Sequence, residues 1–496
     1  GRRVCTQYNR KAFIFSGINI MKIRFLVLIC SLLGCECLSA QCVNISNKRI
    51  LFLDYDIIEK LDGAELKMNS PIDRGVAFYF DKSWEGPSCA YVTIIKDSTF
   101  YRAYYRGRLT SKTGGAKQIT CVAESKDGVH WYKPRLSIYR IAGYDKNNIV
   151  LMNEGDVSHN FSPFIDINPK RDLRYRYKGI GGKEGKGLFV YQSIDGLKWV
   201  KMKEEPFYTD GNFDSQNVVF WSPEHNSYLL FFRKWRKVDK VLYRTIAMSR
   251  SEDFEKWEKY KLLDFGDTPI ENLYTNQIGF YYRAPQFLIG IGARFFQNKK
   301  VIPDSLSTRM NAAYVNDCSD VYLMSSRDAL HFDRIFMESF IRPGIGYNNW
   351  TSRTNYPALN IVETSDSELS VYVNENYMQP EAHLRRYSIR IDGFTSICAG
   401  YVGGVVITKP IKFSGTKLEI NYSTSAAGEI RIELLDERDD VIPGYSKEDC
   451  DSIVGDEISR GVTWHGRGDL SSIEGQIVKM KFYLKDADVF SFRYYR

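Results

Sequence analysis

Short runs of apolar and aromatic residues, broken by polar turns, fill the chain from about residue 81 to 397, and they come in pairs. The pairs are Ala90 to Lys96 with Phe100 to Arg106, Phe161 to Ile167 with Arg174 to Lys178, Val218 to Trp221 with Tyr228 to Arg233, Ile278 to Tyr282 with Phe287 to Ile291, and Ala358 to Val362 with Leu369 to Val373. Val, Ile, Tyr and Phe dominate them, as pleated and largely buried strands require, and no helix-period stretch of comparable strength intervenes. Five pairs predict five small sheets. After Gly400 the pattern changes to alternation, in Lys417 to Tyr422, Glu429 to Leu434 and Val478 to Leu484. Half-buried strands at such spacing predict a β-sandwich.

A repeated phrase fixes how the sheets are arranged. Ser125-Lys126-Asp127-Gly128-Val129-His130-Trp131 recurs from Ser193 to Trp199 and, more loosely, from Ser251 to Trp257 and from Ser326 to Phe332; a degraded copy spans Ser388 to Phe394. The first four copies begin 68, 58 and 75 residues apart, about the length of a four-stranded sheet with its loops. Ser and Asp side chains bond the turn's own amides and Gly supplies positive φ, so the phrase reads as a structural turn and not as a catalytic motif. The predicted fold is all-β, a five-bladed β-propeller over 81–397 followed by a C-terminal β-sandwich over 400–496. Residues 41–80 are expected to be N-terminal strands closing onto the propeller.

Charge and cysteines narrow the class. The chain of 496 residues is 44% hydrophobic and 14% aromatic, ample for a large core. Its formal charge of +8 falls to +3 once residues 1–40, with six basic residues and one acid, are set aside. That balance, without a basic run, argues against a nucleic-acid partner. Within 1–40, Met21-Lys22-Ile23-Arg24 followed by Phe25 to Gly34 is a charged n-region and a short apolar h-region, too short to span a bilayer. It reads as a secretory signal behind an upstream extension, so the protein is expected to be exported, periplasmic or outer-membrane-associated in a bacterium. Leu32-Leu33-Gly34-Cys35 resembles a lipoprotein box, which would anchor Cys35 to a membrane. Beyond the leader, Cys42, Cys89, Cys121, Cys318, Cys398 and Cys450 are scattered; they allow one or two disulfides but show no metal-ligand spacing, and no metal or other cofactor is expected.

In a propeller, the residues entering each inner strand from one end form the ligand pocket. The five entrances are Trp84 to Ser88, Ser158 to Ser162, Asn212 to Asn217, Glu271 to Gln277 and Trp350 to Tyr356. Amides and carboxylates grip hydroxyls and aromatic rings stack on sugar faces, so an oligo- or polysaccharide is the expected ligand. Glycoside hydrolysis needs two carboxylates flanking the scissile bond. The catalytic candidates are Glu85, Asp214 and Glu271, with Asp166, deeper in its strand, as a fourth. The alternative for Glu271 is a rim pair with Arg283. His159, Asn160, Gln216, Asn217, Asn276, Gln277, Trp350, Arg353 and Arg233 are the substrate-binding candidates. Arg233, Arg283 and Arg353 have the donor geometry to hold a sugar carboxylate.

Asp81 to Gly86, Phe213 to Trp221, Tyr274 to Gln277 and Leu484 to Phe492 together resemble the five-bladed furanosidase superfamily, glycoside hydrolase families 32, 43 and 68, and especially family 32-like bacterial proteins. The resemblance implies a propeller with a C-terminal sandwich, and an exported glycoside hydrolase acting on a furanoside or an acidic sugar. It departs from the family at three catalytic places. Ser88 or Cys89 stands where the family has Asp, Phe161-Ser162-Pro163 replaces Arg-Asp-Pro, and Ser215-Gln216 replaces Glu-Cys, so acid and base roles do not carry across. These departures support the alternative of a non-catalytic surface glycan-binding protein. The sandwich is expected to be a structural support whose apolar faces, around Trp464, Leu418, Ile420, Ile430 and Ile432, are covered by packing on the propeller.

Overall fold

The computed structural model describes residues 42–110, 115 and 117–496; the leader and Cys35 lie outside them. Five sheets surround a channel. Blade one runs from an inner strand Ala90–Asp97 through Phe100–Arg108 to Gln118–Ser125, with Trp131–Tyr132 and Ile149–Met152 outermost. Blade two is Ser162–Ile165, Tyr177–Lys183, Gly187–Ser193 and Val200–Lys201, and blade three is Val218–Ser222, Ser227–Val238, Val241–Ser251 and Lys261–Leu262. In blade four, Gln277–Tyr281 and Asn272–Leu273 both pair with Ala284–Phe296, which pairs with Cys318–Ser326. Blade five places Tyr356–Pro357 and Val362–Ser365 against Glu368–Glu375, followed by His383–Arg390. The second strands are apolar on both faces because each lies between neighbouring blades: Tyr104, Tyr105, Leu229, Phe231 and Phe232 are all fully buried.

The repeated phrase sits at the same corner of blades one to four, after the third strand. In each copy the serine hydroxyl accepts the amide three residues on, from Gly128, Gly196, Phe254 and Ala329 at 2.9, 2.9, 2.9 and 3.1 Å. The aspartate accepts the next two amides, as Asp195 does from Leu197 and Lys198 at 2.8 and 2.9 Å. The amide donor after the aspartate has φ of +73°, +72°, +67° and +68° in the four copies, so Phe254 and Ala329 hold a left-handed backbone that glycine adopts more cheaply. The turns also join blades: Tyr104 of blade one donates to the Gly196 carbonyl of blade two at 2.8 Å.

Residues 41–80 divide between two structures. Ile72–Tyr79 is the outermost strand of blade five, antiparallel to His383–Arg390, and closes the ring with the N-terminal end of the chain. Val43–Ser46, Ile50–Leu51, Ile58–Asp62 and Glu65–Met68 instead pair with the C-terminal strands. There, two strands of 19 residues, Lys417–Leu435 and Ile477–Tyr495, pair along their lengths across a register shift between Thr424 and Glu429. Bulges of this sort bend a strand, and the sheet wraps a core of its own. That core, not the propeller, covers Leu418, Ile420, Ile430, Ile432 and Trp464, and Phe52 from the N-terminal segment packs in it against Phe482 and Phe492. All six cysteines outside the leader are free thiols.

The degraded copy of the repeat lies where propeller meets sandwich and has become an ionic hub. Asp392, fully buried, accepts from the Tyr281 hydroxyl at 2.7 Å, the Ser491 hydroxyl at 2.6 Å and the Asn421 amide at 3.2 Å. Arg283 and Arg49 approach it to 3.3 and 3.5 Å, and Arg49 also pairs with Glu419.

Candidate functional site

At the entrance end of the channel a cavity of about 120 Å³ is lined by Ala90, Tyr91, Arg106, His159, Asp214, Tyr274, Arg353, Tyr356 and Tyr377. By the space one water needs, it has room for about one sugar ring. Rings form its wall in sequence: His159 lies 5.6 Å from Tyr91, Tyr91 6.3 Å from Tyr356, and Tyr356 5.1 Å from Tyr274. Tyr91 turns into the channel at the head of the inner strand of blade one with φ of +53°, a costly conformation for a tyrosine, held by the surrounding blades.

Arg106 lies under Tyr91, its guanidinium carbon 4.8 Å from the ring centre. Its Nε and Nη2 donate to the Ser88 carbonyl at 3.0 and 2.8 Å, and Nη2 also reaches the Tyr377 hydroxyl at 2.9 Å. Nη1 faces His159 Nε2 at 3.4 Å, and His159 Nδ1 is 3.0 Å from Gln118 Oε1. Burial, and then the Arg106 charge, push the His159 pKa down to about 3, so the imidazole is neutral at ordinary pH. Arg353 is exposed at the rim, stacked 5.0 Å from Tyr314, whose hydroxyl it meets at 3.3 Å. Asp214 is half exposed and ion-paired with the buried Arg233. Burial raises the Tyr91 and Tyr356 pKa values, so both keep their protons and can donate.

Of the expected site residues, the channel mouth thus brings together Asp214, His159 and Arg353, with Arg233 behind Asp214. The other three catalytic candidates belong to the walls. Glu85 is fully buried, bonded to Lys133 at 2.7 Å, the Tyr105 hydroxyl at 2.6 Å and the Lys82 amide at 3.0 Å. Asp166 is fully buried against Lys178 at 2.6 Å and the Tyr228 hydroxyl at 2.8 Å. Glu271 is held by Arg334 at 2.5 Å and Arg294 at 3.2 Å, not by Arg283, which is at the propeller–sandwich hub.

The amides are structural in the same way. Asn160 bonds the Gly182 and Ser215 carbonyls, and Asn217 the Phe213 and Ser215 carbonyls. Gln216 reaches across the channel to Val92 and Thr93 and accepts from Gln277, so these two close the channel beneath the cavity. Asn276 is buried and does not line the cavity. Trp350 lines a separate hollow of about 450 Å³ with Arg294, Phe296, Lys299 and Arg342. Arg106, Tyr91 and Tyr377 were not expected. The signal for the first was present: the aromatic second strands of blades one and three both carry arginine five residues after a tyrosine, at Tyr101 to Arg106 and Tyr228 to Arg233. Among the described residues no group of three or more His, Cys, Asp or Glu side chains is placed to hold a metal ion.

No protein-family model matches the chain, and no curated protein matches it. The solved structures that match include several described as glycoside hydrolases. One described simply as a glycoside hydrolase has a TM-score of 0.46 and 10% identity over 65% of this chain and 92% of its own. A glycoside hydrolase family 43 arabinoxylan arabinofuranohydrolase from Bacillus subtilis, in complex with cellotetraose, has a TM-score of 0.38 and 9% identity over 85% and 99%. A fructofuranosidase variant from Schwanniomyces occidentalis complexed with fructosylnystose has a TM-score of 0.41 and 10% identity over 85% and 96%. The five blades themselves carry the fold assignment.

Proposed function

We propose that the protein is an exported glycan-binding protein on a glycosidase-like fold, and that its central cavity seats one sugar residue of an oligo- or polysaccharide. The supporting observation is the lining. Four tyrosines offer faces for stacking and hydroxyls for bonding, while Asp214 is the only carboxylate on the cavity wall among the described residues. Hydrolysis of the expected kind needs a second carboxylate some 5 to 9.5 Å away across the scissile bond, and Glu85, Asp166 and Glu271 are committed to cations in the walls. Export rests on the leader pattern in residues 21–40.

One observation favours a second reading, hydrolysis with Asp214 as the anionic group: it is exposed to the cavity next to a neutral imidazole, His159, whose Nε2 is 3.2 Å from the Asp214 carbonyl. A panel of plant and microbial oligosaccharides, followed by calorimetry for binding and by product analysis for cleavage, separates the two. Binding without products supports the proposal. Cleavage by the wild type that Asp214→Asn abolishes replaces it with the second reading.

A further inference from the structure

Among the described residues seven arginines are buried: Arg49, Arg102, Arg106, Arg233, Arg294, Arg334 and Arg386. Six have a carboxylate within 4 Å: Arg49 has Asp392 and Glu419, Arg102 has Glu124, Arg233 has Asp214, Arg294 has Asp320 and Glu271, Arg334 has Glu271, and Arg386 has Glu368. Arg106, only 7% exposed, has none among the described residues. It is also the buried arginine that lines the central cavity. A charge removed from water without a counter-ion is costly, and proteins normally supply one. The tyrosine faces and the Ser88 carbonyl soften that cost for Arg106 without cancelling its charge.

Charge across the site points the same way. Arg106 and Arg353 line the cavity with one carboxylate, Asp214, which is already paired with Arg233 behind it, and His159 is neutral. Arg353, at the rim, has a tyrosine hydroxyl and ring for company and no carboxylate among the described residues.

Resting on the glycan reading above, we propose that the sugar seated in this cavity is anionic, bearing a carboxylate or a sulfate ester, and that Arg353 and Arg106 take that group. A guanidinium fork suits the paired oxygens of either anion. The tyrosine wall receives the ring, and the ligand completes the ion pairing that Arg106 lacks.

The test is calorimetric titration with matched ligands: oligogalacturonides against their methyl-esterified forms, and sulfated galactan oligosaccharides against desulfated ones, each on wild type, Arg353→Ala and Arg353→Lys. Wild type is expected to bind one charged member at least tenfold more tightly than its uncharged partner. Which pair shows the gap identifies the anion. Arg353→Ala should erase most of that gap, weakening the charged ligand far more than its uncharged partner, and Arg353→Lys should restore part of it. Equal affinity within both pairs, with Arg353→Ala weakening charged and uncharged forms alike, overturns the anion assignment and leaves glycan binding standing. Failure of all four ligands, together with no binder among the neutral oligosaccharides of the panel above, removes both.

Discussion

Two aspartates stand among arginines in this molecule, and they are used in opposite ways. Asp392, between propeller and sandwich, is fully buried and saturated by Tyr281, Ser491 and Asn421, with Arg49 and Arg283 beside it and Glu419 sharing Arg49. Two guanidinium groups face two carboxylates, and the balance closes internally. Asp214, at the channel mouth, is half exposed and satisfies one arginine of three. Side chains of one chemical type therefore serve as mortar in one place and as a receptor surface in the other. What distinguishes the two is whether the local charges cancel without outside help.

The largest effect expected from this contrast is at the hub. Asp392→Ala leaves Arg49 and Arg283 partly uncompensated and should lower unfolding free energy by about 3–5 kcal/mol, read from denaturant melts. A loss below about 1 kcal/mol would mean that the hub is as loosely balanced as the channel mouth. Next comes a wall carboxylate. Asp166→Asn removes the charged partner of Lys178 and should cost about 2–3 kcal/mol, with glycan affinity of the folded protein unchanged. Lost affinity at full stability would return Asp166 to the site.

Smaller still is a single turn bond. Ser193→Ala leaves the Gly196 amide without its acceptor and should cost about 1 kcal/mol, seen as a modest drop in Tm. Arg353→Ala, by contrast, should change stability by less than about 0.5 kcal/mol, because an exposed rim cation contributes little to folding. If that variant is strongly destabilised, the rim is part of the scaffold.

The subtlest effect is with pH. His159 titrates near 3 when folded and near its ordinary value when unfolded, so the unfolded chain binds the extra proton first. Stability should be flat above about pH 6.5 and decline as pH falls from there toward 3. His159→Gln should decline less over that window in melts taken at each pH; parallel profiles would contradict the depressed imidazole.

The architecture was legible because its signals are local. A Ser-x-Asp turn needs only residues within three positions of each other, and an apolar strand next to a polar turn declares itself. The channel mouth was legible in part. Asp214, His159 and Arg353 were found from their place at the head of an inner strand, but Glu85 and Glu271 occupy similar places, Asp166 lies at the far end of one, and the three are neutralised by Lys133, Arg334 and Lys178. Those partners come from other strands and loops, and nothing in a one-dimensional pattern marks them. The amides went the same way, since Gln216 bonds the inner strand of blade one across the channel. Arg106 escaped notice because it enters from a second strand, where the spacing it shares with Arg233 marks it only faintly, and its missing carboxylate shows once the buried arginines can be compared.

The way the ring closes bears on the order in which the chain can fold. Ile72–Tyr79 finds its partner in His383–Arg390, and the strands between Val43 and Met68 find theirs beyond residue 394. During synthesis these early segments emerge first and wait, unpaired, through four complete blades. Contacts so distant in sequence make for slow, late consolidation, and waiting strands with bare edges are prone to mispair. For the export proposed above, the delay would have a use: the last locking step is withheld until nearly all of the chain has arrived.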